Sequence, residues 1–251
     1  MILYDVANGI ARITLNRSDK RNALNPELID AIKDGLAKSA RDPECRVVLL
    51  TGAGKDFCSG ADLAGLKTAQ AGVLDNMDDA RNMAELFLAM RNHPHPIVAA
   101  VQGRALAGGC GLATACDIIL ASESAQFGYP EVNIGFVPAM VMAILRRSVS
   151  EKAAFELVAT GDVISAMRAH ELGLVHHVYP DDSFTDEVEA YASRLTNKSA
   201  SAVMLSKRLL YQMDSMSFEA ALEAGVQTNA IARMTEDCRR GVERFLGRQR
   251  S

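Results

Sequence analysis

Gly103-Arg104-Ala105-Leu106-Ala107-Gly108-Gly109-Cys110-Gly111 follows the apolar run Ile97 to Val101 and opens the helix-compatible stretch that runs to about Ala115. A strand that stops at glycines and restarts as a helix is the unit of an α/β fold. The segment Phe57-Cys58-Ser59-Gly60-Ala61-Asp62 repeats the arrangement about fifty residues earlier, after the apolar strand Arg46 to Thr51.

Outward from these two turns the order is strand, strand, helix, strand. Ile2 to Val6 and Ile10 to Leu15 favour β structure, with Ala7-Asn8-Gly9 as the turn of a hairpin. Asn25-Pro26 starts a helix, Asn as N-cap and Pro in the first turn. Leu28, Ile32 and Leu36 then bury one face. A second helix is expected from Asp75 to Asn92, ending where Pro94 and Pro96 forbid continuation. Asp117 to Leu120 reads as another strand. From about Asp181 to Arg248 only helical patterns remain, with Phe218, Leu222, Val226, Met234, Cys238, Val242 and Phe245 near a 3.6-residue period.

The chain has 251 residues, 49% of them hydrophobic, which supports a large packed core. A net charge of −4 from 27 basic and 31 acidic residues gives no reason to expect nucleic acid. Five cysteines, an odd number without a CxxC pair, fit reduced thiols in a cytoplasmic protein. No leader pattern or spanning segment is read from the sequence, and no membrane partner is expected. Thr51-Gly52-Ala53-Gly54-Lys55 lacks the spacing of a phosphate loop. Ser59 is not in a GxSxG elbow, and the histidines show no metal-ligand spacing.

Each glycine turn can leave one backbone N–H free to meet an oxyanion: that of Ala61, expected to open a short helix, and that of Gly108. Close helix–strand packing is the ordinary alternative reading of each. Glu131 lies in the largely apolar stretch Gly128-Tyr129-Pro130-Glu131-Val132-Asn133-Ile134-Gly135-Phe136-Val137-Pro138, where its neutral form is favoured and proton transfer near neutral pH becomes accessible. Two donors and one carboxyl group point to chemistry beside a carbonyl.

These segments in this order, with Leu15-Asn16-Arg17, Asn22-Ala23-Leu24 and Ala169 to Val175, resemble the enoyl-CoA hydratase/isomerase (crotonase) family over nearly the whole chain. The resemblance implies a ClpP/crotonase-like spiral of repeated ββα units holding an acyl-CoA site over residues 1–190. A helical trimerisation region over 191–251 would follow, giving a homotrimer or dimer of trimers. It implies an oxyanion hole at Ala61 and Gly108, Glu131 as catalytic acid/base, and no cofactor beyond the coenzyme A of the substrate. CoA contacts would fall at Lys20, Arg21, Ala61, Asp62, Leu63, Gly108 and Gly109. Met83, Phe87, Ala139 and Met140 would shape the acyl pocket, with Arg81 or Lys67 available to pair with a carboxylated acyl group. No metal site is implied.

The chain departs from the family pattern at Gly111, where hydratases carry a first glutamate, and at Val137-Pro138-Ala139-Met140, where Ala139 still offers an N–H. Hydration of a 2-enoyl-CoA, double-bond isomerisation by a single glutamate, and acyl-CoA binding without catalysis are therefore the competing expectations. Glu85 is a candidate second carboxylate.

Overall fold

The computed structural model describes residues 1–63 and 72–248. A six-stranded sheet runs in the order β1 (Ile2–Ala7), β2 (Ile10–Leu15), β3 (Val47–Gly52), β4 (Ile97–Val101), β6 (Ile118–Ser122) and β9 (His177–Tyr179), every pair parallel except the hairpin β1–β2. A three-stranded sheet pairs β5 (Arg104–Leu106), β7 (Gln126–Gly128) and β8 (Val163–Ser165). Successive passes contribute a strand to each sheet: β4 is followed by β5, and β6 by β7. Cys58 continues the pattern by bridging Ala105. This is the spiral.

Local chemistry explains the entry to each element. The hairpin closes on two residues, Asn8 and Gly9, both at positive φ (54° and 81°), the geometry that asparagine and glycine tolerate. Helix α1 (Pro26–Arg41) starts where Asn25 Oδ1 accepts from the Leu28 amide at 3.0 Å. Helix α2 (Val73–Arg91) and helix α3 (Gly108–Thr114) follow β3 and β5. Helices α4 (Ala139–Ser148), α5 (Glu151–Thr160) and α6 (Ala166–Glu171) complete the spiral. The tail is α7 (Phe184–Thr196), α8 (Ala200–Gln212), α9 (Phe218–Met234) and α10 (Glu236–Arg248).

Both faces of the large sheet are covered, which is why β3 and β4 read as unbroken apolar runs. Val48, Leu50 and Ala99 face a core shared with α1, α2 and α3. Val47, Leu49 and Val98 face Phe184, Val188 and Ala192 of α7. A division after residue 190 therefore falls inside a helix that packs on the sheet. Helix α8 is joined to the core through polar anchors. Lys207 Nζ donates to Asp117 Oδ2 at 2.7 Å and to the carbonyls of Met90 and His95, while Tyr211 Oη donates to Asp117 Oδ1 at 2.5 Å. Among the described residues, no helix is long and apolar enough to cross a membrane.

Candidate active site

The turn around Ala61 differs in detail from its expected form. Leu24 and Ala61 make a parallel bridge, with the Leu24 amide donating to Gly60 O at 2.7 Å and the Asp62 amide to Leu24 O at 2.8 Å. A parallel bridge uses only the residues flanking Ala61, so the Ala61 N–H points the other way. Ala61 is thus held extended rather than opening a helix, and helical geometry first occurs at Leu63. The freed donor is the same; the bridge, not a helix end, frees it.

The second turn works as a helix start. Gly108 is the first residue of α3, so its N–H has no acceptor within the helix. The preceding Ala107 is held at φ 50°, a conformation costly for any residue with a Cβ and found where a turn has a task. The two turns touch. A Cβ on Gly60, itself at φ 98°, would lie 2.8 Å from Ala107 Cβ and 3.5 Å from Gly108 N; a Cβ on Gly108 would lie 3.9 Å from Ala61 N. The structure therefore brings the expected pair of amides side by side, Ala61 exposed and Gly108 half-buried.

Gly109 serves packing: a Cβ there would come within 2.3 Å of Cys58 O. Cys58 and Cys110 are buried beside these turns, and burial pushes their thiols up to about 12 and about 11.

Glu131 sits in the 3-10 turn Pro130–Ile134 and is buried, with 8% of its surface exposed. Its Oε2 has no hydrogen-bond partner among the described residues. Burial raises its pKa, partly opposed by a bond from its own backbone N–H. Tyr129, two residues earlier, shares a 2.8 Å hydrogen bond with Thr114 of α3, which ties this segment to that helix. A carboxyl oxygen buried without a partner is costly.

The position expected to lack the first glutamate lacks room for one. A Cβ on Gly111 would lie 2.4 Å from Val141 Cγ2 and 3.4 Å from Phe87 Cζ. Val141 of α4 fills that space. Met83 joins the apolar wall, its Cε 3.9 Å from the Cβ position of Gly108. Met83 and Phe87 are thus buried beside α3, as the acyl-pocket reading requires. Met140 is half-buried on α4, but Ala139 is exposed at its start, and the Ala139 amide donates to Val137 O at 2.8 Å, so that N–H is not available to a ligand.

The remaining candidates scatter. Lys20 and Arg21 are exposed; Arg21, at φ 52°, accepts the Ser59 amide at its carbonyl and so braces the first turn. Leu63 is exposed, and Asp62 pairs with Arg17 at 2.9 Å. Glu85 is exposed and pairs with Lys33 at 3.3 Å, so it is no second catalytic carboxylate. Arg81 pairs with Asp78, also in solvent. Lys67 lies outside the described residues. Among the described residues, no cluster of three metal-ligating side chains occurs.

Two supporting residues were not singled out from the sequence. Arg17 spans the first turn, donating to Ala23 O at 2.5 Å as well as to Asp62. Asn22, fully buried at φ 55°, donates to the carbonyls of Ala53 and Asp56 and accepts the Arg17 amide. The motif Asn16-Arg17 to Asn22-Ala23-Leu24 contains both, but Asp62, Ala53 and Asp56, the partners that tie them to the first turn, lie more than thirty residues on.

The sequence and the fold match a known class. Residues 5–251 match the family model of enoyl-CoA hydratase/isomerase. The chain is 34% identical over 235 residues to the 2,3-dehydroadipyl-CoA hydratase of Escherichia coli, covering 93% of this chain and 91% of that one. It is 32% identical over 243 residues to the mitochondrial enoyl-CoA hydratase domain-containing protein 3 of Rattus norvegicus, covering 97% and 81%. The crystal structure of an enoyl-CoA hydratase from Mycobacterium smegmatis superposes with a TM-score of 0.94 at 33% identity, covering 98% and 96%. The chain belongs to the enoyl-CoA hydratase/isomerase family and has the crotonase fold of its enzymes, with a C-terminal helical region.

Proposed function

We propose that the protein is an enoyl-CoA hydratase-type lyase that adds water to a 2-enoyl-CoA thioester, with Glu131 as the acid/base. The observation that carries this reading is the buried Glu131 carboxyl, unpartnered at Oε2 among the described residues, in the segment that Tyr129 ties to α3. The amides of Ala61 and Gly108 would both donate to the thioester oxygen and stabilise the negative charge that develops there. As the water oxygen bonds to C3, its proton passes to the Glu131 carboxylate and the C2–C3 π pair moves onto the carbonyl as an enolate. The enolate then takes that proton at C2, and the net change is addition of one water.

A second reading has its own support. Val141 leaves no space for a carboxylate at position 111, so one acid serves alone. A lone carboxylate suffices to take a proton from C2 and return it at C4, which is isomerisation of a 3-enoyl-CoA to its 2-enoyl isomer. Either reaction proceeds through the same enolate and needs the same donors.

The test is a paired assay of crotonyl-CoA hydration and 3-enoyl-CoA isomerisation, wild type beside Glu131→Gln. Hydration that disappears in Glu131→Gln while acyl-CoA binding persists supports the lyase. Isomerisation without hydration assigns the second reading. Turnover unchanged in Glu131→Gln removes Glu131 from either mechanism.

A further inference from the structure

Behind the acyl wall lies a cavity of about 750 Å³ between α2, α4 and the turn after α8. Phe87 and Met140 line it on the side of α3, and Arg91, Arg147 and Asp214 line it at the far end.

Two helices lead from the proposed enolate site to this end. On α2, Met83, Phe87 and Arg91 are spaced by four residues and share one stripe, each step about 6 Å along the axis. Met83 lies against Gly108 and Phe87 against Gly111, so Arg91 stands about 12 Å beyond the oxyanion donor. On α4, Met140 and Ile144 lead to Arg147 over a similar length, and all three face the same cavity. Two apolar stripes therefore converge on two guanidinium groups.

Those groups share one acceptor. Arg91 Nη2 and Arg147 Nε, the latter at 2.9 Å, both donate to Asp214 Oδ2. The other acid at the wall, Asp117, is already held by Lys207 and Tyr211. The far end of the cavity so carries one surplus positive charge. Arg91 is fixed by the Tyr211 carbonyl at 3.1 Å and by its ring, 4.1 Å away. Arg147 is freer, with 46% of its side chain exposed. A cavity that borders the acyl wall at Phe87 and Met140 and ends in an under-neutralised pair of arginines matches a chain whose distal end is a carboxylate.

We propose that this cavity receives the distal end of an acyl group bearing a terminal carboxylate, so that the preferred substrates are CoA thioesters of dicarboxylic acids, with Arg91 and Arg147 as specificity residues. Asp214 holds the two arginines in place until the substrate carboxylate joins or replaces it. The proposal rests on the acyl-CoA reading of the site, and its test separates the two.

The test compares 2-enoyl-CoA thioesters of matched chain length ending in methyl or carboxylate, by kcat/KM, alongside calorimetric binding of the saturated analogues, which cannot react. Wild type should favour the carboxylated series at some chain length by about ten-fold or more, a charge-assisted hydrogen bond being worth that much. Arg147→Gln should erase the preference, read as the ratio of kcat/KM between the two series, and Arg147→Lys should restore part of it. Turnover of both series with no preference, or a preference that survives in Arg147→Gln, overturns the inference and leaves the lyase reading standing. Arg147-dependent binding without turnover keeps the inference and removes the lyase reading. Failure of both series to bind overturns both.

Discussion

Gly111→Ala adds a single methyl group at the point where the fold has least room for it. Two effects oppose each other. Gly111 lies inside α3, where alanine is favoured over glycine by about 1 kcal/mol. The added Cβ would stand 2.4 Å from Val141 Cγ2, well inside van der Waals contact. Val141 is buried, and its β-branched side chain is stiff at χ1, so it cannot turn aside. Overpacking of this kind costs about 1–3 kcal/mol, and at this separation the upper part of the range applies. The net expectation is a loss of about 1–2 kcal/mol, which for a chain of this size is about 2–8 °C in Tm. Val141→Ala alone should cost about 2 kcal/mol through the methyl groups removed and the space left behind. In the double variant the new methyl occupies part of the space vacated by Cγ2, so the two losses should not add. Thermal unfolding of the four proteins at one protein concentration gives the coupling directly. A double variant at least 1 kcal/mol more stable than the sum of the single losses is expected. Additivity within about 0.5 kcal/mol would show that Val141 and Gly111 do not compete for that space.

Glu131 has a raised pKa in the folded protein, so its contribution to stability is present below the ordinary carboxyl pKa and is lost as pH rises through the raised one. Glu131→Gln should therefore gain on wild type between pH 4 and pH 8 in thermal unfolding; a difference independent of pH would contradict this. Gly60→Ala forces a Cβ to within 2.8 Å of Ala107 Cβ and 2.9 Å of Leu106 O at a φ of 98°. It should push the two amides apart and lower kcat about 100- to 1000-fold, the usual cost of one oxyanion donor, with circular dichroism retained; wild-type kcat would refute the placement of the oxyanion hole. On α9, Phe218, Leu222 and Val226 recur every four residues and are all exposed, which supports assembly of copies through the tail. Sedimentation should give a trimer or its dimer for wild type and a smaller species for Leu222→Glu, whereas a monomeric wild type excludes the assembly.

Much of this molecule is legible in its sequence because local chemistry decides it. The Asn8-Gly9 turn, the Asn25-Pro26 helix start and the Pro94 and Pro96 stop act over a few residues, and the structure has each where the pattern puts it. The apolar runs of β3 and β4 announce a sheet covered on both faces. Elements of three to six residues, such as β8 and α6, carry too few positions for a period to reveal them. A boundary after residue 190 falls within α7 for a related reason. Helix α7 has the same periodicity as the helices after it, and only its contact with the sheet shows that it belongs to the core.

The site divides along the same line. Glycines and a glutamate in an apolar segment are visible as residue types, so Ala61, Gly108 and Glu131 could be named. What frees or fills a position depends on partners distant in the chain. Ala61 N–H is freed by a bridge to Leu24, thirty-seven residues away in number, while Ala139 N–H is consumed by Val137 O. The clearest case is position 111. Sequence alone records a glycine where a carboxylate was expected, which reads as a loss that a single substitution could reverse. In the structure Val141, from the next helix of the spiral, already occupies the space, so restoring glutamate at 111 alone would collide with it. The glycine and the valine are one feature: an apolar wall against α3 where a carboxylate would otherwise stand. Reversing it would take at least two changes together, a smaller residue at 141 and glutamate at 111. The chemistry open to this chain is therefore set as much by Val141 as by the glutamate it lacks.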